Sequence, residues 1–104
     1  MNLKIEGYTV YLVKCADGSY YSGMCVNMKK ELIEINNRMW GYFKSRPDRV
    51  PVTVVFREDH VPFKEAYVKH KYLRSMTRRS RELFLRKGRW PLGKILREFV
   101  VKTG

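Results

Sequence analysis

Cysteine is scarce in this chain: there are two in 104 residues, Cys15 and Cys25. That is too few for the disulfide framework of a small secreted domain, so a reducing, cytoplasmic or intracellular setting is expected. The two thiols are expected near opposite ends of a hairpin strand, which argues against a bond between them. Long apolar runs are also missing. None approaches the ~20 residues that cross a bilayer, so no membrane partner is expected. The stretch 1–8 carries Lys4 and Glu6 without an apolar centre, which does not fit a secretory signal. Acidic residues are few as well, ten Asp and Glu against 22 Lys and Arg. No internal repeat or low-complexity segment interrupts the sequence.

What is present fits one globular unit. Hydrophobic residues make up 44% and charged residues 31%, a balance that excludes disorder, and the length suffices to bury a core. The net charge of +12 is concentrated. Residues 1–68 hold ten Lys/Arg and eight Asp/Glu, whereas 69–97 hold eleven Lys/Arg and one Glu. A field this one-sided points to a polyanion, most often nucleic acid, with a solvated basic helix as the plain alternative. The basic run lacks a continuous apolar face, which disfavours an acidic membrane surface. Lys69, Lys71, Arg74, Arg78, Arg79, Arg81 and Arg86 are the candidate phosphate contacts, expected to face solvent.

The local pattern places the elements. Tyr8 to Lys14 reads as a strand, and Asp17-Gly18 marks a hairpin leading to a second strand from about Tyr20 to Cys25. A two-residue loop would put Tyr11 and Tyr21 on opposite faces. A three-residue loop, Ala16-Asp17-Gly18, pairs Cys15 with Ser19, opposes Tyr21 to Val13 and puts both tyrosines on one face, and this register is the expectation. Asn27 caps a helix expected over 28–43, with Leu32, Ile35, Met39 and Phe43 inward. Trp40 and Phe43 are read as packing residues. Val50 to Arg57 reads as a third strand, begun near Pro51 at an edge or first position. Helices follow over about 63–74 and 77–87, the second ended by Gly88. His60 is placed in a loop and given no function. Pro91 opens a possible helix with Leu92, Ile95, Leu96, Phe99 and Val100 on one stripe, docked on the domain or forming a homodimer through 92–100. The expected organisation is a domain over 1–88 and an extension over 89–104. The fold class is α/β or α+β, a small three-stranded mixed or antiparallel sheet flanked by helices.

Thr9-Val10-Tyr11, the turn phrase Cys15-Ala16-Asp17-Gly18-Ser19 and Tyr20-Tyr21-Ser22-Gly23 resemble the two-part signature of the GIY-YIG nuclease superfamily, in particular its small stand-alone members. The resemblance covers about residues 8–87. It implies a three-stranded sheet with helices and one-metal hydrolysis of a DNA phosphodiester, with Mg2+ or Mn2+ as the cofactor if the chain is active. It implies catalytic roles for Tyr11, Tyr21 and Tyr42. Gly23 matches the final signature glycine, and Thr9 stands at the first. The resemblance also exposes departures. Glu31 stands where an arginine should steady phosphate charge, Ile35 where a histidine is frequent, and His70 where a glutamate should hold the metal. Glu31 and His70 together form a candidate manganese or zinc pair, and a shifted alignment would promote Glu65 to ligand. Arg38 is too far along the helix to replace the missing arginine. Three readings follow: a DNA-directed nucleic-acid-binding domain with reduced or lost nuclease activity, an active metal-dependent endonuclease with a non-standard site, and a protein-interaction module.

Overall fold

Four consecutive residues, Val10 to Val13, are completely buried. A strand alternates its side chains between two faces, so such a run must be covered on both. It belongs to β1 (Tyr8–Lys14), the centre of a three-stranded sheet with β2 (Tyr20–Cys25) and β3 (Thr53–Val61) on either side. Both pairings are antiparallel. The structure is a computed structural model, and it describes residues 7–90.

The hairpin has the three-residue loop. Val13 opposes Tyr21, Tyr11 opposes Gly23, and the Cys15 amide donates to the Ser19 carbonyl at 2.8 Å. Gly18 closes the turn at φ 89°, a conformation that glycine adopts at little cost. Asp17 accepts from the Ser19 amide and hydroxyl, which locks the turn from within.

Helices cover both faces. On one, α1 (Met28–Asn36) and α2 (Gly41–Lys44) bury Met28, Ile35 and Phe43 against Tyr11, Val13 and Cys25. On the other, α3 (Phe63–Ser75) and α4 (Arg78–Lys87) bury Ala66, Leu73 and Phe84 against Val10, Leu12 and Val61. Asn27 caps α1 through the Lys30 amide, Thr77 caps α4 through the Ser80 amide, and Gly88 ends α4 at φ 71°. The architecture is α+β with an antiparallel sheet. Cys15 and Cys25 are buried free thiols.

Three sequence expectations need correction. The helix expected over 28–43 is two helices. Asn37 donates its side-chain amide to the Ile33 carbonyl, and Arg38 turns at φ 53°, so Arg38 is off the helix altogether and Met39 is exposed. The third strand begins at Thr53 and runs to Val61, later than expected, because the Val52 amide is taken by the Asn36 side chain at 2.8 Å instead of by the sheet. His60 therefore lies in β3 and not in a loop. It adopts φ 61° where the β1–β3 register slips, and Gly7 passes so close that a Cβ there would sit 2.7 Å from the His60 carbonyl carbon. The helix expected after Pro91, its 92–100 stripe and most of the 89–104 extension lie outside the described residues. Among the described residues, no helix is long and apolar enough to cross a membrane.

Gly23 makes the sharpest steric demand. The Tyr11 ring lies over it, and a Cβ at Gly23 would fall 2.6 Å from Tyr11 Cζ. Gly23→Ala is expected to cost about 1–3 kcal/mol of stability by overpacking, read from urea unfolding midpoints. An unchanged midpoint would contradict the close ring contact.

Candidate nucleic-acid interface

Tyr11 and Tyr21 share a face of the hairpin but have different surroundings. Tyr11 is 0% exposed, and its hydroxyl donates to the Glu31 carboxylate at 2.6 Å. Burial and the adjacent Glu31 charge push the Tyr11 phenol far above its ordinary range. Burial also lifts the Glu31 carboxyl, against the stabilising Tyr11 hydrogen bond, and Glu34 adds to the rise. Tyr21 stands nearer the edge of β2, packed edge-on against Phe43 at 5.1 Å and beside Tyr42 at 5.4 Å. Its phenol is raised by burial first, then by Glu31 and Tyr42, with Arg74 opposing. Both phenols thus hold their protons at neutral pH.

A cleft of about 260 Å³ opens beside this aromatic group, lined by Tyr20, Tyr21, Ser22, Tyr42, Arg74 and Arg81. Two arginines and four hydroxyl-bearing residues line it, and no carboxylate residue does. Arg81 stacks on the Tyr20 ring at 5.2 Å and donates to the Met76 carbonyl at 3.0 Å. Tyr42 is 44% exposed, and its hydroxyl accepts from Arg49. The chemistry on offer is anion binding by fixed donors.

The remaining candidates are dispersed. Arg74, Arg78, Arg79 and Arg86 are exposed along α3 and α4, with Arg78 paired to Glu82 at 3.4 Å. Lys71 is half-buried, its ammonium 5.6 Å from the Tyr67 ring. Lys69 does not face solvent, contrary to the sequence expectation. It is 5% exposed, held by Glu58 at 2.8 Å and Glu65 at 2.7 Å, with Trp90 donating to the same Glu58 at 2.9 Å. A side chain so enclosed is a structural cation, and Glu65 is its counter-ion. Glu31 and His70 have separate partners, Glu31 the Tyr11 hydroxyl and His70 the Ser22 carbonyl at 3.2 Å. Among the described residues no three His, Cys, Asp or Glu side chains gather as a metal site. With arginines rather than carboxylates lining the cleft, this donor set does not fit a divalent ion.

Sequence similarity adds the family. A Bacillus cereus UPF0213 protein is 33% identical over 78 residues, covering 75% of this chain and 79% of that protein. The chain belongs to the UPF0213 family. A Staphylococcus epidermidis UPF0213 protein is 29% identical over 84 residues, 81% of this chain and all of that relative. The Bacillus subtilis UPF0213 protein YazA is 28% identical over 87 residues, 84% of this chain and 86% of YazA. No protein-family model and no solved structure matches the chain.

In this UPF0213 chain, sequence reasoning identified Tyr21, Tyr42, Arg74 and Arg81 singly but not their convergence. Ser22 and Tyr20 gave no signal, because period-two alternation places both on the opposite face from Tyr21, and the three line one cleft only at the edge of the sheet. Arg49 carried no signal, because its contact with Tyr42 is made by a turn.

His70 provides a pH test. Burial lowers its pKa below the ordinary 6.5, with Arg74 adding to the shift and the Ser22 hydrogen bond opposing it. The unfolded chain therefore takes the proton first. The His70 contribution to stability is complete above about pH 6.5 and is lost as pH falls toward the lower folded value. Urea unfolding at about pH 7.5 and about pH 5.5 should show a larger acid loss in wild type than in His70→Gln, the comparison cancelling Glu31. Equal losses would mean that His70 is solvated.

Proposed function

We propose that this chain is a nucleic-acid-binding GIY-YIG-like domain, directed at DNA, in which nuclease activity has been lost. The observation that carries the reading is the charge reversal at the tyrosine site. Hydrolysis of a phosphodiester needs a base for the attacking water and positive charge on the transition-state oxygens. On the resemblance, Glu31 stands where that positive charge would be needed, and it accepts from the Tyr11 hydroxyl. His70, which the resemblance aligns with the metal ligand, meets the Ser22 carbonyl. Phosphate binding makes fewer demands. It needs fixed donors and accessible cations, and the Tyr21–Tyr42 cleft with Arg74 and Arg81 supplies them beside the exposed Arg78, Arg79 and Arg86.

Such contacts act mainly through the phosphate backbone, so sequence preference is expected to be weak. Binding to duplex DNA should fall by on the order of 10³ between about 50 and about 200 mM salt if six or more phosphates are neutralised. Replacing Arg78, Arg79 and Arg86 together by Gln should weaken binding on all sequences and flatten the salt slope. Affinity that ignores salt would remove the proposal. The same samples, given magnesium or manganese, are expected to leave supercoiled and branched DNA intact. Cutting abolished by Tyr21→Phe would establish the active-nuclease reading in its place.

A further inference from the structure

Tyr42 is held by a relay from the hairpin turn. Asp17 accepts from Ser19 and lies 3.3 Å from Arg49 Nε; Arg46 reaches the same carboxylate at 3.7 Å. The Ala16 amide donates to the Arg49 carbonyl at 2.9 Å, which fixes the backbone of Arg49 as well. Arg49 Nη1 donates to the Tyr42 hydroxyl oxygen, and the guanidinium carbon lies 5.5 Å from the Tyr42 ring. A phenol oxygen that accepts from a guanidinium has its own proton free to donate elsewhere.

The cleft that Tyr42 borders is small, about 260 Å³, which suits one phosphate and part of its sugar and not a duplex. Two guanidiniums line it without a carboxylate, a charge that matches a dianion better than the single charge of a backbone diester. Arg81 donates to the Met76 carbonyl through one Nη, and its Nε is buried, which leaves its remaining Nη hydrogens for an anion. Arg74 makes no ion pair among the described residues.

We propose that this cleft is a subsite for a phosphate monoester, bound by Arg74, Arg81 and the Tyr42 hydroxyl, with Arg49 and Asp17 as positioning residues that aim Tyr42. On the nucleic-acid reading, on which this rests for its natural source, the monoester is the terminal phosphate of a strand. The shared chemistry is the dianion, and free phosphate is the other source.

The test is fluorescence anisotropy with short duplexes ending in a 5′-phosphate, a 3′-phosphate or hydroxyls only, with inorganic phosphate as competitor. A phosphorylated end should bind at least about tenfold more tightly than hydroxyl ends, and phosphate should erase the difference. Arg74→Gln should abolish that ratio by weakening phosphorylated ends far more than hydroxyl ends, which lose only one phosphate contact. Tyr42→Phe, on the surface, and Arg49→Gln should each reduce it, and the double variant should be no worse than either, as expected if Arg49 acts through Tyr42. Arg49→Lys should restore part of it, whereas loss of folding alone would lower binding to every duplex alike. Equal affinity for all ends, with the salt dependence intact, overturns the subsite and leaves the nucleic-acid reading standing. Phosphate bound with Arg74 dependence, but no duplex bound, supports the subsite with free phosphate as its source and removes the nucleic-acid reading. Binding of neither removes both.

Discussion

The hydrogen bond from Tyr11 to Glu31 is the constraint around which the rest of the site is arranged. Tyr11 lies in the middle of the central strand, fully buried, and its ring passes over Gly23 because no side chain stands there. Its hydroxyl cannot reach water, so it must find a partner in the protein. Glu31 supplies one from the first turn of α1, a position where a carboxylate also complements the helix dipole. The bond ties the first turn of α1 to the central strand, beside the apolar packing of Met28 and Ile35. It also withdraws the Tyr11 hydroxyl from solvent.

With Tyr11 occupied, the accessible chemistry shifts to the outer edge of β2. Tyr21 remains partly open, Tyr42 joins it from α2, and Arg74 and Arg81 arrive from α3 and α4. The positive charge of the second half of the chain thus divides by burial. Lys69 is consumed by Glu58 and Glu65 beneath Trp90, while the arginines of α4 stay at the surface. Enclosed and exposed cations do different work: the first completes the core at a desolvation cost offset by two carboxylates, and the second remains available to an anion.

The hairpin was legible in the sequence because its turn chemistry admits few registers, and placing both tyrosines on one face selects the three-residue loop that the structure contains. The helices after Pro62 and Thr77 were legible from their starts and stops. The break after α1 was not, because the apolar spacing through Leu32, Ile35, Met39 and Phe43 continues unbroken across it. What ends the helix is local competition from Asn37 and the left-handed turn at Arg38, and only Phe43 of the last two apolar positions is buried. Lys69 was misread for a related reason. A count of charge along the chain has no term for burial, and its partner Glu58 is distant in sequence on β3. The family resemblance located Tyr11, Tyr21 and Glu31 but gave no hint that Glu31 would hold Tyr11, nor that Arg49 would hold Tyr42. The first contact joins segments that only the tertiary fold brings together, and the second is closed by the irregular turn between Tyr42 and Arg49.

The central claim is that the Tyr11 hydroxyl is committed to Glu31, and the direct measurement is NMR detection of that hydroxyl proton. A slowly exchanging resonance that disappears in Tyr11→Phe, shows contacts to the Glu31 side chain and shifts in Glu31→Gln is the predicted result. A hydroxyl proton in fast exchange with water, unaffected by Glu31→Gln, would show Tyr11 to be free and would contradict the account.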